Sequence, residues 1–231
     1  MLNEIELLVA LRGETCIIHM KDYEVGEDYV HMVMECGEQD LAQALQRKQV
    51  RSLRGVWKAM MEAVQVVHEK RVVHGDLKPA NFLMVNKELK LIDFGIAKQI
   101  ESNDTTNIVR DNAIGTLNYM APEAFVGNQG TRKGDQGLKL GRQSDIWSLG
   151  CILYQMVYGR PPFHAFKNTI QKMQAITNPN LCVEFPSTGP AGSVEKDLID
   201  VMRQTLQRDP SKRPTIPELK RHPWLVPPKA R

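Results

Sequence analysis

Residues 74–95 constrain this chain more than any other stretch. The run His74-Gly75-Asp76-Leu77-Lys78-Pro79-Ala80-Asn81 is followed by Asp93-Phe94-Gly95, which starts twelve residues after Asn81. Between the two runs, Phe82–Val85 and Leu89–Ile92 read as short strands joined at Asn86-Lys87-Glu88. Leu91 and Ile92 thereby place Asp93 at the end of a strand.

These residue types suit the movement of a phosphoryl group. Such chemistry needs a carboxylate that orients a hydroxyl and accepts its proton, a role open to Asp76. It needs hard oxygen ligands for a divalent ion that bridges nucleotide phosphates, and Asn81 and Asp93 supply an amide carbonyl and a carboxylate. Lys78 can reach the transferred group and neutralise its charge. A lone Asp-Phe-Gly is a turn more often than a metal site. The pair of runs at this spacing, with Ala121-Pro122-Glu123 beyond, is far more specific.

Composition narrows the frame. The chain has 231 residues, 42% apolar and 25% charged, which fits one large or two small globular domains and excludes disorder throughout. Apolar runs are short, so no membrane span of about 18–20 residues is expected. Met1-Leu2-Asn3-Glu4 lacks the basic start of a secretory signal. Cys16, Cys36, Cys151 and Cys182 are scattered without a Cys-x-x-Cys pair, which argues against zinc or disulfides and suggests a reducing, intracellular compartment. A net charge of +3 is too small to indicate nucleic-acid binding.

Patterning predicts a small α+β start and a mostly helical remainder. Ile5, Leu7, Leu8 and Leu11 form a helical face closed by Gly13, and Cys16–Met20 and Tyr29–Met34 read as strands about a turn at Gly26-Glu27-Asp28. Asp40 is placed to cap a helix through Gln46, and Ser52 one through Lys70. Residues 93–115 lose periodicity, and Gly127–Gly141 reads as a basic, glycine-rich loop; Gly127–Arg142 is the first place to seek a regulatory contact, but a solvated linker is the favoured reading. Helices follow at Asp145–Tyr158, Phe166–Ile176 and Val194–Gln207.

Asp76–Asn81, Asp93–Gly95, Ala121–Glu123, Asp145-Ile146-Trp147-Ser148-Leu149-Gly150 and Arg213 together resemble the eukaryotic protein kinases over nearly all of the chain. Met32–Gly37, Asp76–Leu83, Leu91–Ala97 and Gly115–Met120 are similar to the monopolar-spindle checkpoint kinases, dual-specificity enzymes acting mainly on Ser/Thr. The resemblance implies an α+β, protein-kinase-like fold: a truncated small-lobe remnant (1–34), a hinge (35–40) and a mostly helical large lobe (41–231). It implies ATP and Mg²⁺ as cofactors, protein substrates, kinetochore partners, and a nuclear or kinetochore location with a role in chromosome segregation. Asp76 becomes the proton acceptor, Lys78 its assistant, and Asn81 and Asp93 the metal ligands. Met34 becomes the residue beside the adenine pocket, the Glu35 and Gly37 backbones the adenine partners, Leu83 the floor and Asp40 the ribose contact. Asp145 supports the catalytic loop, Glu123 and Arg213 form an ion pair under the activation segment, and Thr116 with Lys78 fits Ser/Thr direction. Leu8, Met20, His74 and Phe94 form a buried stack. The other histidines are read as surface or core without function.

Two departures stand out. Gly75 occupies a position where many kinases carry an Arg that reads a phosphate on the activation segment. Ser102, Thr105 and Thr106 are then candidate modification sites, with Lys98 or Arg110 as partners for the phosphate. Glu4 sits where the family's helix Glu belongs, yet no Gly-x-Gly-x-x-Gly occurs and the first lysine is Lys21. On that reading three small-lobe strands are missing and the chain alone binds ATP weakly. The alternative function is a catalytically impaired short isoform that serves as a protein-binding module.

Overall fold

A computed structural model describes residues 2–95, 97–99, 105–108, 116–126 and 138–226. Helix α1 (Leu2–Ala10) turns Ile5, Leu7 and Leu8 inward, and Gly13 redirects the chain at φ 95°. Strands β1 (Met20–Val25) and β2 (Val30–Met34) form an antiparallel hairpin with Tyr23 opposite Met32. The strand expected at Cys16–Met20 instead begins at Met20. Ile17 and Ile18 are both buried, which a one-sided strand cannot achieve, and Ile17 makes only an isolated bridge to Leu91. On β2, Val33 and Met34 are 53% and 42% exposed, because one face of this two-stranded sheet is uncovered among the described residues.

Strand β3 (Gln39–Asp40) leads into α2 (Leu41–Gln46), where the Asp40 carboxylate accepts from Gln43 N at 2.8 Å. Helix α3 (Leu53–Glu69) starts at Ser52, whose hydroxyl accepts from Gly55 N. It buries Trp57 and Met61 together with Met60, Ala63, Val64 and Val67, and Trp57 Nε1 donates to Leu149 O in a second helix. After β4 (Val72–Val73), strands β5 (Phe82–Val85) and β6 (Glu88–Leu91) complete a sheet of order β3-β5-β6. Their turn residues Asn86 and Lys87 adopt φ 51° and 69°, the left-handed pair that matches strand twist in a two-residue hairpin.

Strand β7 (Lys98–Gln99) pairs with β4, and β8 (Thr105–Ile108) pairs with β9 (Leu138–Gly141). Strands thus occur inside the stretch read as aperiodic, and the basic stretch read as a loop to Gly141 ends in a strand. Leu140 is buried and anchors that pairing. Ser102, Arg110 and residues 127–137 lie outside the described residues, as do the side chains of Lys98, Thr105 and Thr106.

The helical part comprises α4 (Glu123–Val126), α5 (Arg142–Tyr158), α6 (Thr169–Thr177), α7 (Lys196–Thr205) and α8 (Ile216–Lys220). A small hairpin, β10 (Thr188–Gly189) and β11 (Gly192–Ser193), lies between α6 and α7. Helix α6 begins later than its apolar pattern because Asn168 caps it, accepting from Ile170 N. Helix α5 is buried without interruption from Ser144 to Leu153 and stops at Gly159, whose φ of 77° suits a left-handed C-terminus. One buried cluster runs from Ile5 and Leu8 through Val64, Leu91 and Leu149 to Val201. No helix among the described residues is long and apolar enough to cross a membrane.

Gly150 lets α7 approach α5: a Cβ there would lie 2.5 Å from Thr205 Oγ1. Helix propensity alone favours Gly150→Ala by about 1 kcal/mol. Overpacking costs about 1–3 kcal/mol. Gly150→Ala is therefore expected to lower the urea midpoint; a raised midpoint would show that the contact yields.

Candidate active site

The sequence from Asp76 to Asp93 closes into a chain of hydrogen bonds. Lys78 Nζ donates to Asp76 Oδ2 at 2.7 Å, Lys78 N to Asn81 Oδ1 at 3.0 Å, and Asn81 Nδ2 to Asp93 Oδ2 at 3.1 Å. The β5–β6 hairpin causes this convergence, since Asn81 immediately precedes β5, Asp93 closely follows β6, and Ile92 N donates to Asn81 O at 2.8 Å. The amide orientation follows from its partners, because a backbone N–H requires the carbonyl oxygen and a carboxylate requires the NH₂. Asp93 holds φ 66°, a left-handed conformation that costs a residue with a Cβ about 1–3 kcal/mol. The hairpin and the Asn81 bond hold it there.

Asp145 holds the loop that carries Asp76. It is wholly buried near the N-terminus of α5. Its Oδ2 accepts from His74 N at 3.0 Å and meets His68 Nε2 at 2.8 Å, while Oδ1 accepts from Gly75 N at 2.9 Å. Burial alone raises a carboxyl's pKa, but here the His68 bond and charge, with His74 and Gly75, outweigh it and hold Asp145 below the ordinary value. His68, read from sequence as without function, is therefore a partner of this carboxylate. Its signal was its place four residues after Val64 on the inward face of α3.

His74 is neutral in the fold. Asp76 N donates to its Nδ1 at 3.3 Å, so Nε2 carries the proton and faces Ile92 O at 3.3 Å. Complete burial pushes its pKa below the ordinary histidine value, against the opposing pull of Asp145. Its ring lies 5.3 Å from that of Phe94, and Leu8, Met20, His74 and Phe94 are all buried. Glu4 lies beside Asp93 and the Phe94 backbone, and burial followed by the Asp93 charge raises its pKa. Among the described residues no lysine or arginine pairs with Glu4.

A second network lies under residues 116–126. Arg213 meets Glu123 with Nη1–Oε1 at 2.7 Å and Nη2–Oε2 at 2.8 Å. The guanidinium also donates to Gln207 O, Gln143 O and Arg208 O and lies 5.1 Å from the Trp147 ring. Ser144 Oγ adds a bond to Glu123 at 2.8 Å. Thr116 begins a short 3-10 turn, Thr116–Tyr119, and its side chain lies outside the described residues.

Away from these networks, Glu35 is bound by Lys90 Nζ at 2.7 Å and accepts from His19 N at 2.7 Å. These bonds and the Lys90 charge overcome partial desolvation, lower its pKa and tie residue 35 to β6. Gly37 packs against Leu83: a Cβ would overlap the leucine side chain and sit 2.7 Å from Met84 O. Leu83 is half-buried below, and Glu38 N donates to Met84 O. The Asp40 carboxylate is engaged as a helix cap, and Met34 is exposed. A cavity of about 660 Å³ lies elsewhere, and of the sequence-predicted residues only Glu123 lines it.

The protein kinase domain model matches residues 1–225. The chain is 51% identical over 97% of its length to "Probable serine/threonine-protein kinase mps1" of Dictyostelium discoideum, covering 23% of that protein. It is 52% identical over 97% of its length to "Serine/threonine-protein kinase mph1" of Schizosaccharomyces pombe, covering 36%. It is 47% identical over 96% of its length to "Dual specificity protein kinase TTK" of Mus musculus, covering 26%. The chain thus spans roughly a quarter to a third of the length of these curated relatives.

Two outcomes follow from the site's electrostatics. Glu123→Ala leaves the buried Arg213 without its bidentate partner and should cost about 3–5 kcal/mol in chemical denaturation; a loss under 1 kcal/mol would mark the pair as peripheral. For His74 the folded pKa lies below the unfolded value of about 6.5, so the unfolded chain binds the proton first. Its stabilisation is complete above that value and is lost as pH falls through it. The urea midpoint should therefore fall on acidification from neutrality, and less steeply in His74→Phe; identical slopes would contradict the neutral, buried assignment.

Proposed function

The chain belongs to the protein kinase domain family, and on that premise we propose that it transfers the terminal phosphoryl group of ATP to Ser or Thr of protein substrates, and also to Tyr. The observation that carries this reading is the continuous Asp76–Lys78–Asn81–Asp93 network. Asp76 orients the acceptor hydroxyl and takes its proton. Lys78, held against Asp76, neutralises charge on the group in transfer. Asn81 and Asp93 offer one amide carbonyl and one carboxylate, a hard-oxygen pair that suits Mg²⁺. A divalent ion held by these two side chains would supply positive charge to offset that of the nucleotide phosphates.

Adenine is held against the hinge backbone at Glu35 and Gly37, above Leu83 and beside Met34, with Asp40 near the ribose. The absence of a side chain at Gly37 is what permits close packing on Leu83 there. In this reading residues 1–34, 35–40 and 41–231 act as small lobe, hinge and large lobe. Glu123 and Arg213 hold the substrate platform, and Thr105 and Thr106 are candidate phosphorylation sites. The similarity to relatives named mps1, mph1 and TTK supports a spindle-checkpoint role, kinetochore partners and a nuclear or kinetochore location.

Asp76→Asn should lower phosphate transfer to a threonine peptide by about 10²–10⁴-fold and leave the thermal shift with Mg²⁺ and ATP in place. A variant with normal turnover would remove Asp76 from the role. No thermal shift in the unmodified protein would favour the binding-module reading.

A further inference from the structure

Lys172 is the feature that the kinase reading leaves unexplained. It sits on α6, is only 6% exposed, and sends Nζ to Asn118 Oδ1 at 2.6 Å. Asn118 belongs to the turn Thr116–Tyr119, which α5 also grips through Tyr119 Oη on Gln155 Oε1 and Ser148 Oγ on Tyr119 O. An ammonium has three N–H donors, and Asn118 uses one. Among the described residues no carboxylate pairs with Lys172. A buried cation without a counter-ion is costly, and a neutral residue of similar length would brace Asn118 without that cost.

The neighbouring charges sharpen the problem. Arg160, His164 and Lys167 occupy the connection between α5 and α6, with Arg160 and Lys167 exposed and His164 half-buried. Burial together with Arg160, Lys167 and Lys172 holds His164 below its ordinary pKa, and burial together with Lys167 does the same to Lys172. The cations thus repel one another, and Lys172 joins them to the turn at Asn118.

We propose that Lys172, with Arg160, His164 and Lys167, forms a receptor for a phosphoryl dianion already carried by the protein substrate near its acceptor residue. A phosphoryl group brings nearly two negative charges and three acceptor oxygens, which matches several cations and the spare Lys172 donors better than one carboxylate does. The proposal rests on the reading that residues 116–122 face a protein substrate. Lys172 is then a positioning residue, linking the bound anion to Asn118.

The test is fluorescence anisotropy of the full chain with short peptides around a central threonine, flanked by phosphothreonine, threonine or glutamate. The phosphopeptide should bind about tenfold or more tightly than the unmodified peptide. Lys172→Met and the exposed double change Arg160→Ser with Lys167→Ser should each bring that ratio toward one, and Lys172→Arg should preserve it. The double change keeps the test valid if Lys172→Met fails to fold. Equal binding of phosphorylated and unmodified peptides, glutamate equal to phosphothreonine, or a ratio that survives the double change would each overturn the proposal. Inorganic phosphate displacing the phosphopeptide at comparable concentrations would overturn it too, by showing a site for the free anion. Phosphate incorporation measured in parallel tests the kinase reading separately: no transfer with the binding ratio intact would sink that reading and leave the receptor standing.

Discussion

The carboxylate of Asp145 organises this molecule. A buried carboxylate is expensive unless hydrogen bonds replace its water. Here one histidine and two backbone N–H groups do so, all from residues about 70 positions earlier in the chain. The cost of leaving that charge unsatisfied fixes the His74–Gly75 backbone against α5. Asp76 follows in sequence, and its position is therefore set by a helix far away along the chain. Gly75 adopts φ 77° while donating to Asp145, a conformation in which most residues are strained.

From that anchor the rest of the site assembles locally. His74 fixes its own tautomer between Asp76 N and Ile92 O, so one imidazole links the loop before β5 to the residue before Asp93. The β5–β6 hairpin then sets the Asn81–Asp93 bond. The Glu123–Arg213 pair plays the corresponding part under residues 116–126, with α5 supplying Gln143, Ser144 and Trp147 around it. Both anchors converge on α5, which explains why that helix is buried on every side and carries so little amphipathic signal.

Features that rest on short-range chemistry were legible in the sequence. Asp40 and Ser52 cap the helices they were expected to cap, and the hairpin before Asp93 falls at Asn86 and Lys87. Features that depend on distant partners were not. Ile17 and Ile18 read as strand because apolar residues favour one, yet both insert into the core beside Leu91. The pairing of β8 with β9 joins segments about 30 residues apart across polar sequence, where periodicity carries no information. His68 was read as surface or core without function, because its partner lies 77 residues further along the chain. Lys172 gave no signal, since a lysine on a short helix is ordinarily solvated, and its burial accompanies the seating of α6 through Ala175 and Ile176 in the Phe163 cluster and the bond to Asn118.

On the reading proposed above, Asp76, Lys78, Asn81 and Asp93 form one site for a metal-bound nucleotide. Its most direct test is a crystal structure of the chain with Mg²⁺ and a non-hydrolysable ATP analogue. A cation is expected within about 2.0–2.1 Å of oxygens from Asn81 and Asp93, with the terminal phosphate beside Lys78 and Asp76. A nucleotide bound elsewhere, with the Asn81–Asp93 hydrogen bond unchanged, would contradict it.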